Sequence, residues 1–160
     1  MQKLKINDII KRIERQETFD ATAFDNSFRI KITKYVPYCC TAIHDGSNFR
    51  EQLKKKISLD EFQRWFEEDP HTGEFITAMP ITISGLDSRF EYDLNRRSED
   101  CIYEEAWGNK VWKRPLTPTE RQASKQKHFN FYKVVHAIIS KLEELYGSCV
   151  VYDLHSYNYQ

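Results

Sequence analysis

Two histidines carry the first chemical signal in this 160-residue chain. His44 closes the apolar run "YCCTAIHDGSN" (38–48) at an Asp-Gly turn, and His155 follows "CVVYDL" (149–154), two residues after Asp153. A histidine at the end of a buried strand, with carboxylates within reach, has the chemistry of a metal ligand. Hydrolytic zinc sites take three protein ligands from His, Asp and Glu and keep one position open for water. Such an ion lowers the pKa of water towards neutrality and polarises a carbonyl. The third ligand should be a carboxylate, and "FEEDPHTGEF" (66–75) offers Glu67, Glu68 and Asp69 at a helix end. On a strand, Asp153 points the same way as His155 and could accept its other ring N–H. A lone histidine after a strand is more often structural, and a run of carboxylates is more often a solvated face. The case rests on the signals taken together.

The elements that must position these residues follow from periodicity. Ile6, Ile9, Ile10 and Ile13 share one helical face, which predicts a helix over about 5–16. "SFRIKITKYV" (27–36) alternates and is rich in β-branched residues, so it reads as a strand; 38–48 begins as a second one and breaks at His44-Asp45-Gly46. In "SLDEFQRWFEED" (58–69), Ser58 and Glu61 have capping-box spacing, and Phe62, Trp65 and Phe66 form one apolar face before Pro70 and Gly73 stop the helix. "FITAMPITISG" (75–85) reads as a strand and "DSRFEYDLNR" (87–96) as a short strand running into a loop. "TPTE" (117–120) starts a long helix with Thr117 as cap and Pro118 first; Phe131, Val134, Val135, Ile138, Leu142 and Leu145 recur along it, and Gly147 ends it. Apolar strands separated by helices predict an α/β domain with a mostly parallel or mixed sheet. Ligands bind such sheets at the carboxyl ends of strands, where both histidines fall.

"AIHDGSNFR", "EEDPHTG", "DSRFEYDLNR" and "VVYDLHSYN" occur in this order. The series resembles the N-formylglutamate amidohydrolase family, most closely its branch described as modulators of flavohaemoglobin expression. The order His, Asp-Leu-Asn-Arg, Asp-x-His is also similar to the aspartoacylase and zinc carboxypeptidase group. The resemblance covers about 27–160, leaving 1–26 as a variable helical lead-in. It implies a phosphorylase/hydrolase-like α/β fold and a zinc-dependent amidohydrolase acting on an N-acyl amino acid such as N-formylglutamate. Carried over residue by residue, it implies His44, Asp69 and His155 as zinc ligands, with Glu68 the other candidate carboxylate. Asn95 and Arg96 match the dipeptide that holds the substrate carboxylate, and Arg89 is a second cation for the same anion; Arg gives a carboxylate a planar fork. Asp153 matches the acid behind the second histidine. The carboxypeptidase group has a glutamate three residues after its first histidine, and here that position is Ser47. In the resembling families the chain runs on past Asp-x-His and, in the carboxypeptidase group, supplies a general base there. The expectation is therefore a fragment or truncated form, with Glu68 as the internal candidate base and an open, self-associating edge on strand 149–154. The alternative is a non-catalytic module that binds a metal or carboxylate, or regulates.

Composition narrows the partners. Hydrophobic residues make up 40% and charged residues 30%, which is a globular balance with room for one core. A net charge of zero gives no electrostatic case for nucleic acid or anionic membrane. "KRPLTPTERQASKQKHFNFYK" (113–133) is basic, but its apolar residues read as core and its lysines as a solvated face. No apolar run reaches spanning length, and the charged N-terminus lacks a signal-peptide pattern, so a cytoplasmic protein acting on a small molecule is expected. Cys39, Cys40, Cys101 and Cys149 form no Cys-x-x-Cys pair and read as free, partly buried thiols. His71, His128 and His136 read as surface or helix-face residues.

Overall fold

The computed structural model describes residues 2–157. In chain order its elements are β1 (Gln2–Leu4), α1 (Ile6–Glu14), β2 (Phe19–Ala23), β3 (Phe28–Ile32), β4 (Tyr38–Ala42), α2 (Glu51–Lys54), α3 (Glu61–Glu67), α4 (Thr72–Phe75), β5 (Ile81–Gly85), β6 (Glu105–Ala106), β7 (Asn109–Lys110), α5 (Pro118–Tyr146) and β8 (Val150–Asp153). Six strands form one mixed sheet in the order β1-β2-β3-β5-β4-β8, with β6 and β7 as a separate hairpin. β1 runs parallel to β2, and β5, β4 and β8 are mutually parallel neighbours. β3 is antiparallel to both β2 and β5.

Alternation decides which face is buried. Phe19, Ala21 and Ala23 of β2, Phe28, Ile30 and Ile32 of β3, and Ile81 and Ile83 of β5 belong to one core. Ile9 and Ile13 of α1 and Phe131, Val134, Ile138 and Leu142 of α5 join the same core. Phe28 meets Phe131 edge to face with ring centroids 5.6 Å apart. On the opposite face Ile76, just after α4, packs on Cys40 and Ala42. α5 has the expected ends: Thr117 and Glu120 form a reciprocal capping box, Pro118 occupies the first turn, and Gly147 closes the helix at φ 79°. The four cysteines are free. Among the described residues no helix is long and apolar enough to cross a membrane.

Several local expectations are corrected. The segment 1–26 contains the expected helix, but β1 and β2 on either side of it are paired into the sheet. The cap of α3 is Asp60, not Ser58: Asp60 accepts from the Gln63 backbone N–H at 2.8 Å while the Gln63 side chain returns the bond. Ser58 instead donates to the Lys110 carbonyl. Phe62 and Trp65 of α3 are 71% and 49% exposed, so their stripe does not face the core. The stretch 75–80 is not strand. It completes α4 and a turn, and β5 starts only after Pro80, which has no N–H to give a ladder. No strand forms over 87–96 either. Phe90, Glu91, Tyr92, Asp93 and Leu94 are all buried in succession, without the alternation a half-buried strand needs.

Candidate metal centre

The site lies at the carboxyl ends of β4, β5 and β8, which parallel pairing brings to one edge. β4 and β8 are in register through Cys40↔Tyr152 and Thr41↔Asp153. His44 lies three residues beyond Thr41 and His155 two beyond Asp153, so both leave the sheet together; their ring centroids are 5.2 Å apart. Gly46 lets the chain turn here: a Cβ at this position would lie 2.1 Å from the Leu86 backbone. Asp69 arrives from the α3–α4 connection, held by its own N–H to the His44 carbonyl at 3.0 Å. The Thr72 hydroxyl donates to the Asp69 carbonyl at 2.7 Å.

The ligating atoms of His44, Asp69 and His155 lie within 4.8 Å of one another. The two rings are oriented alike. Nε2 of His44 meets Oδ1 of Asp93 at 2.8 Å, and Nε2 of His155 meets Oδ2 of Asp153 at 2.9 Å. Both Nδ1 atoms therefore face Asp69, His155 at 2.7 Å from Oδ2 and His44 at 3.5 Å. Among the described residues, Nδ1 of His44 is buried and has no hydrogen-bond partner. Buried polar groups are ordinarily satisfied, and an acid on the far nitrogen of each ring is the arrangement that orients ligating histidines. Two imidazoles and a carboxylate suit zinc. The donor set therefore fits the metal.

Asp93 is the main residue that sequence reasoning missed. It is fully buried and accepts from His44, from the Arg89 guanidinium at 2.8 Å, from the Asn95 backbone N–H at 2.7 Å and from the Tyr103 hydroxyl. Burial pushes its carboxyl up, but these donors and the charges of His44 and Arg89 outweigh burial and hold it well below the usual carboxylate range. For Asp69 too, burial is opposed by the two histidines, and the net direction is down. Burial alone would lower the pKa of His44; the adjacent Asp69 and Asp93 carboxylates reverse the sign. Asp93 opens the "DLNR" stretch, two residues before Asn95, but nothing in the sequence marks it as the partner of His44. Thr41 was also unforeseen: its hydroxyl donates to Asp153 at 2.5 Å from the neighbouring strand.

The other expected residues separate. Arg89 and Asn95 line the same 430 Å³ cavity as His44, Asp69 and His155. Arg96 does not line it; its guanidinium reaches the Tyr103 hydroxyl at 3.4 Å. Glu68 turns away from the cavity, accepting from Ser88 at 2.5 Å and facing Arg64, and burial pushes its carboxyl up. Its neighbour Glu67 lines the cavity instead, with Phe66 and Trp107. The loop after β5 is anchored to α5 by buried pairs: Lys127 to Asp87 at 2.8 Å, and Arg50 to Glu91 at 2.6 Å and to Ser124 at 2.6 Å. His128, expected as a surface or helix-face residue, lies on a buried face of α5 with Nε2 2.8 Å from the Arg96 carbonyl.

The fold is similar to that of the crystal structure of N-formylglutamate amidohydrolase from Ralstonia eutropha JMP134, with a TM-score of 0.71 and 16% identity, covering 82% of this chain and 57% of that one. A gene product of Agrobacterium tumefaciens gives a TM-score of 0.68 at 17% identity, over 82% and 56% of the two chains. The chain thus spans just over half the length of the solved structures it resembles. Among curated proteins none matches it. Residues 36–160 match the N-formylglutamate amidohydrolase family, and the chain belongs to that family.

Proposed function

We propose that this chain is a zinc-dependent amidohydrolase that cleaves the amide of an N-acyl, in the first instance N-formyl, amino acid. The architecture on this reading is of the zinc carboxypeptidase and aspartoacylase kind. The observation that carries it is the convergence of two Nδ1 atoms, one of them buried and unpartnered, on the Asp69 carboxylate, with Asp93 and Asp153 behind the rings. His44, Asp69 and His155 would hold the ion. Zinc there supplies Lewis acidity towards the acyl carbonyl and a water of lowered pKa.

The remaining work falls to the protein's own groups. Asp93 and Asp153 keep each imidazole proton on Nε2, leaving Nδ1 free to ligate. Arg89, braced by Asp93 and by the Glu67 carbonyl at 3.0 Å, receives the substrate carboxylate with Asn95 beside it. Of the adjacent glutamates, Glu67 lines the cavity, and the proton-handling role expected of Glu68 passes to it on this reading. The net charge of zero supports a small-molecule substrate rather than a nucleic-acid or membrane partner. β8 is the last strand of the sheet, with Val150, Val151 and Tyr152 exposed, which supports self-association there, testable by light scattering.

The direct test is zinc stoichiometry of the purified chain by elemental mass spectrometry, beside His44→Ala and His155→Ala. About one zinc per chain, lost in both variants, is expected, followed by chelator-sensitive release of formate from N-formyl amino acids. Equal metal in parent and variants overturns the site. Stoichiometric zinc without hydrolysis favours the binding-module alternative.

A further inference from the structure

The metal cavity has a second, apolar compartment. A 260 Å³ cavity adjoins it and shares three walls with it, Phe66, Glu67 and Trp107; Leu59, Phe62, Phe90 and Ala106, with Gln63 and Asn109 at the rim, line the rest. This compartment is an open cleft larger than the roughly 150 Å³ that holds a benzene ring, so it has room for an aromatic or branched side chain. Trp107 is held there against its backbone preference. It is the first of two residues, with Gly108, that join β6 to β7, and both have positive φ, 49° and 74°. That tight hairpin turn favours Asn or Gly at its first central position, and a positive φ is rare for a bulky residue. The ring is fixed by edge-to-face contacts with Phe90 and Tyr103, each at 5.8 Å between centroids, and it lies 5.0 Å from the Arg89 guanidinium carbon.

This juxtaposition sets which part of the substrate meets the aromatic wall. A carboxylate on Arg89 places the attached α-carbon, and the side chain it bears, beside Trp107. Glu67, at the boundary of the two compartments, adds an acidic residue where a γ-carboxylate would have to pass. We infer that Trp107, with Phe62 and Phe66, forms a side-chain subsite that selects N-acyl amino acids with aromatic or large apolar side chains over those with acidic ones. The inference rests on the amidohydrolase reading for the orientation of the substrate and goes beyond it in naming the side-chain class.

Calorimetric binding to metal-free protein tests it without turnover. The probes are N-formyl-L-phenylalanine, N-formyl-L-glutamate, N-formylglycine and N-hexanoylglycine, with Trp107→Ala and Phe62→Ala as variants. Phe62 is 71% exposed and Trp107 50% exposed, so neither truncation removes a core side chain, and near-UV circular dichroism checks the fold. Formylphenylalanine is expected to bind at least about tenfold more tightly than formylglutamate, as burial of one aromatic side chain gives. Trp107→Ala should bring that ratio below about threefold. Equal affinities, a preference for formylglutamate, an undiminished ratio in Trp107→Ala, no saturable binding of formylphenylalanine, or a gain that follows the hexanoyl chain would each overturn it. The zinc measurement is separate: loss of the metal reading would leave a measured side-chain preference standing, and the reverse.

Discussion

Asp93→Asn is the most informative single change, because its two possible outcomes at the atomic level are both damaging. Asp93 Oδ1 accepts from Nε2 of His44 at 2.8 Å and from the Asn95 N–H at 2.7 Å; Oδ2 accepts from Arg89 at 2.8 Å and from the Tyr103 hydroxyl. An amide supplies one acceptor oxygen where the carboxylate supplied two. If the amide oxygen takes the place of Oδ1, His44 keeps its tautomer, but an N–H₂ group faces Arg89, whose side chain is only 13% exposed. Removing the partner of a buried charge costs about 3–5 kcal/mol, and the residual exposure and the Glu67 carbonyl bring this to the lower end, about 3 kcal/mol. If the amide is flipped, Arg89 keeps its acceptor, but His44 must carry its proton on Nδ1, the nitrogen that would ligate. Losing the orienting acid behind a ligating histidine weakens metal binding about 10–100-fold. The assays are urea unfolding of the metal-free protein and zinc competition against a chelator.

The acid limb of the stability curve gives a further check with a defined sign. The Asp93 carboxyl is held below its ordinary range in the folded protein, burial being outweighed by His44 and Arg89. Its contribution is complete above the unfolded value, about 4, and is lost as pH falls towards the folded one. The variant should have a flatter acid limb. Unchanged zinc affinity within about threefold, together with stability within about 0.5 kcal/mol, would refute the role of Asp93.

Gly46→Ala should be among the most damaging small substitutions, lowering stability by more than about 2 kcal/mol in urea unfolding, because the added carbon meets the Leu86 backbone at 2.1 Å and neither chain segment can yield without moving His44. Glu120 is lowered to about 2 by the Lys56 ammonium and the Thr117 backbone N–H. Its contribution, on the order of 1 kcal/mol for a cap and partly shielded ion pair, is full above about 4.5 and is lost as pH falls towards 2. Glu120→Gln should remove that portion of the acid limb, read by thermal melts between those pH values.

Legibility followed the nature of the force that positions each element. α5 was readable end to end because its cap, first-turn proline, apolar stripe and terminal glycine are all local signals. β3, β4 and β8 were readable from alternation or apolar runs, and both histidines at strand ends with them. α3 misled because amphipathic spacing does not say what the apolar face meets; here Phe62 and Phe66 line a cavity beside the candidate metal centre instead of the core. The loop 87–97 was unreadable as structure, since its buried charges are stabilised by partners 40 or more residues away, such as Lys127 and Arg50. Asp93 was lost for the same reason: its partner His44 is 49 residues distant, and spacing in the chain contains no trace of that pairing.

The two acids behind the histidine rings, Asp93 and Asp153, also differ in what they are attached to. Asp93 lies in a loop anchored by buried ion pairs, whereas Asp153 lies on β8, the edge strand, all four of whose residues are exposed. Among the described residues β8 is paired only with β4 in the sheet, and Val150 N–H and Leu154 N–H reach the Pro37 and Thr41 carbonyls at 3.0 and 2.8 Å. With so little buried surface, opening of β8 should be a low-energy local event. Opening would carry away both His155 and Asp153, so an ion shared by His44, Asp69 and His155 binds only the docked strand. Zinc at 100 times its dissociation constant then stabilises docking by about 2.7 kcal/mol, which slows exchange of the Val150 and Leu154 amides about 100-fold. Amides of β3, whose opening does not separate the ligands, should change far less. Hydrogen exchange with and without zinc decides the matter: equal slowing across β3 and β8 would mean that the ion stabilises the fold as a whole, and no slowing at Leu154 would mean that His155 is not a ligand.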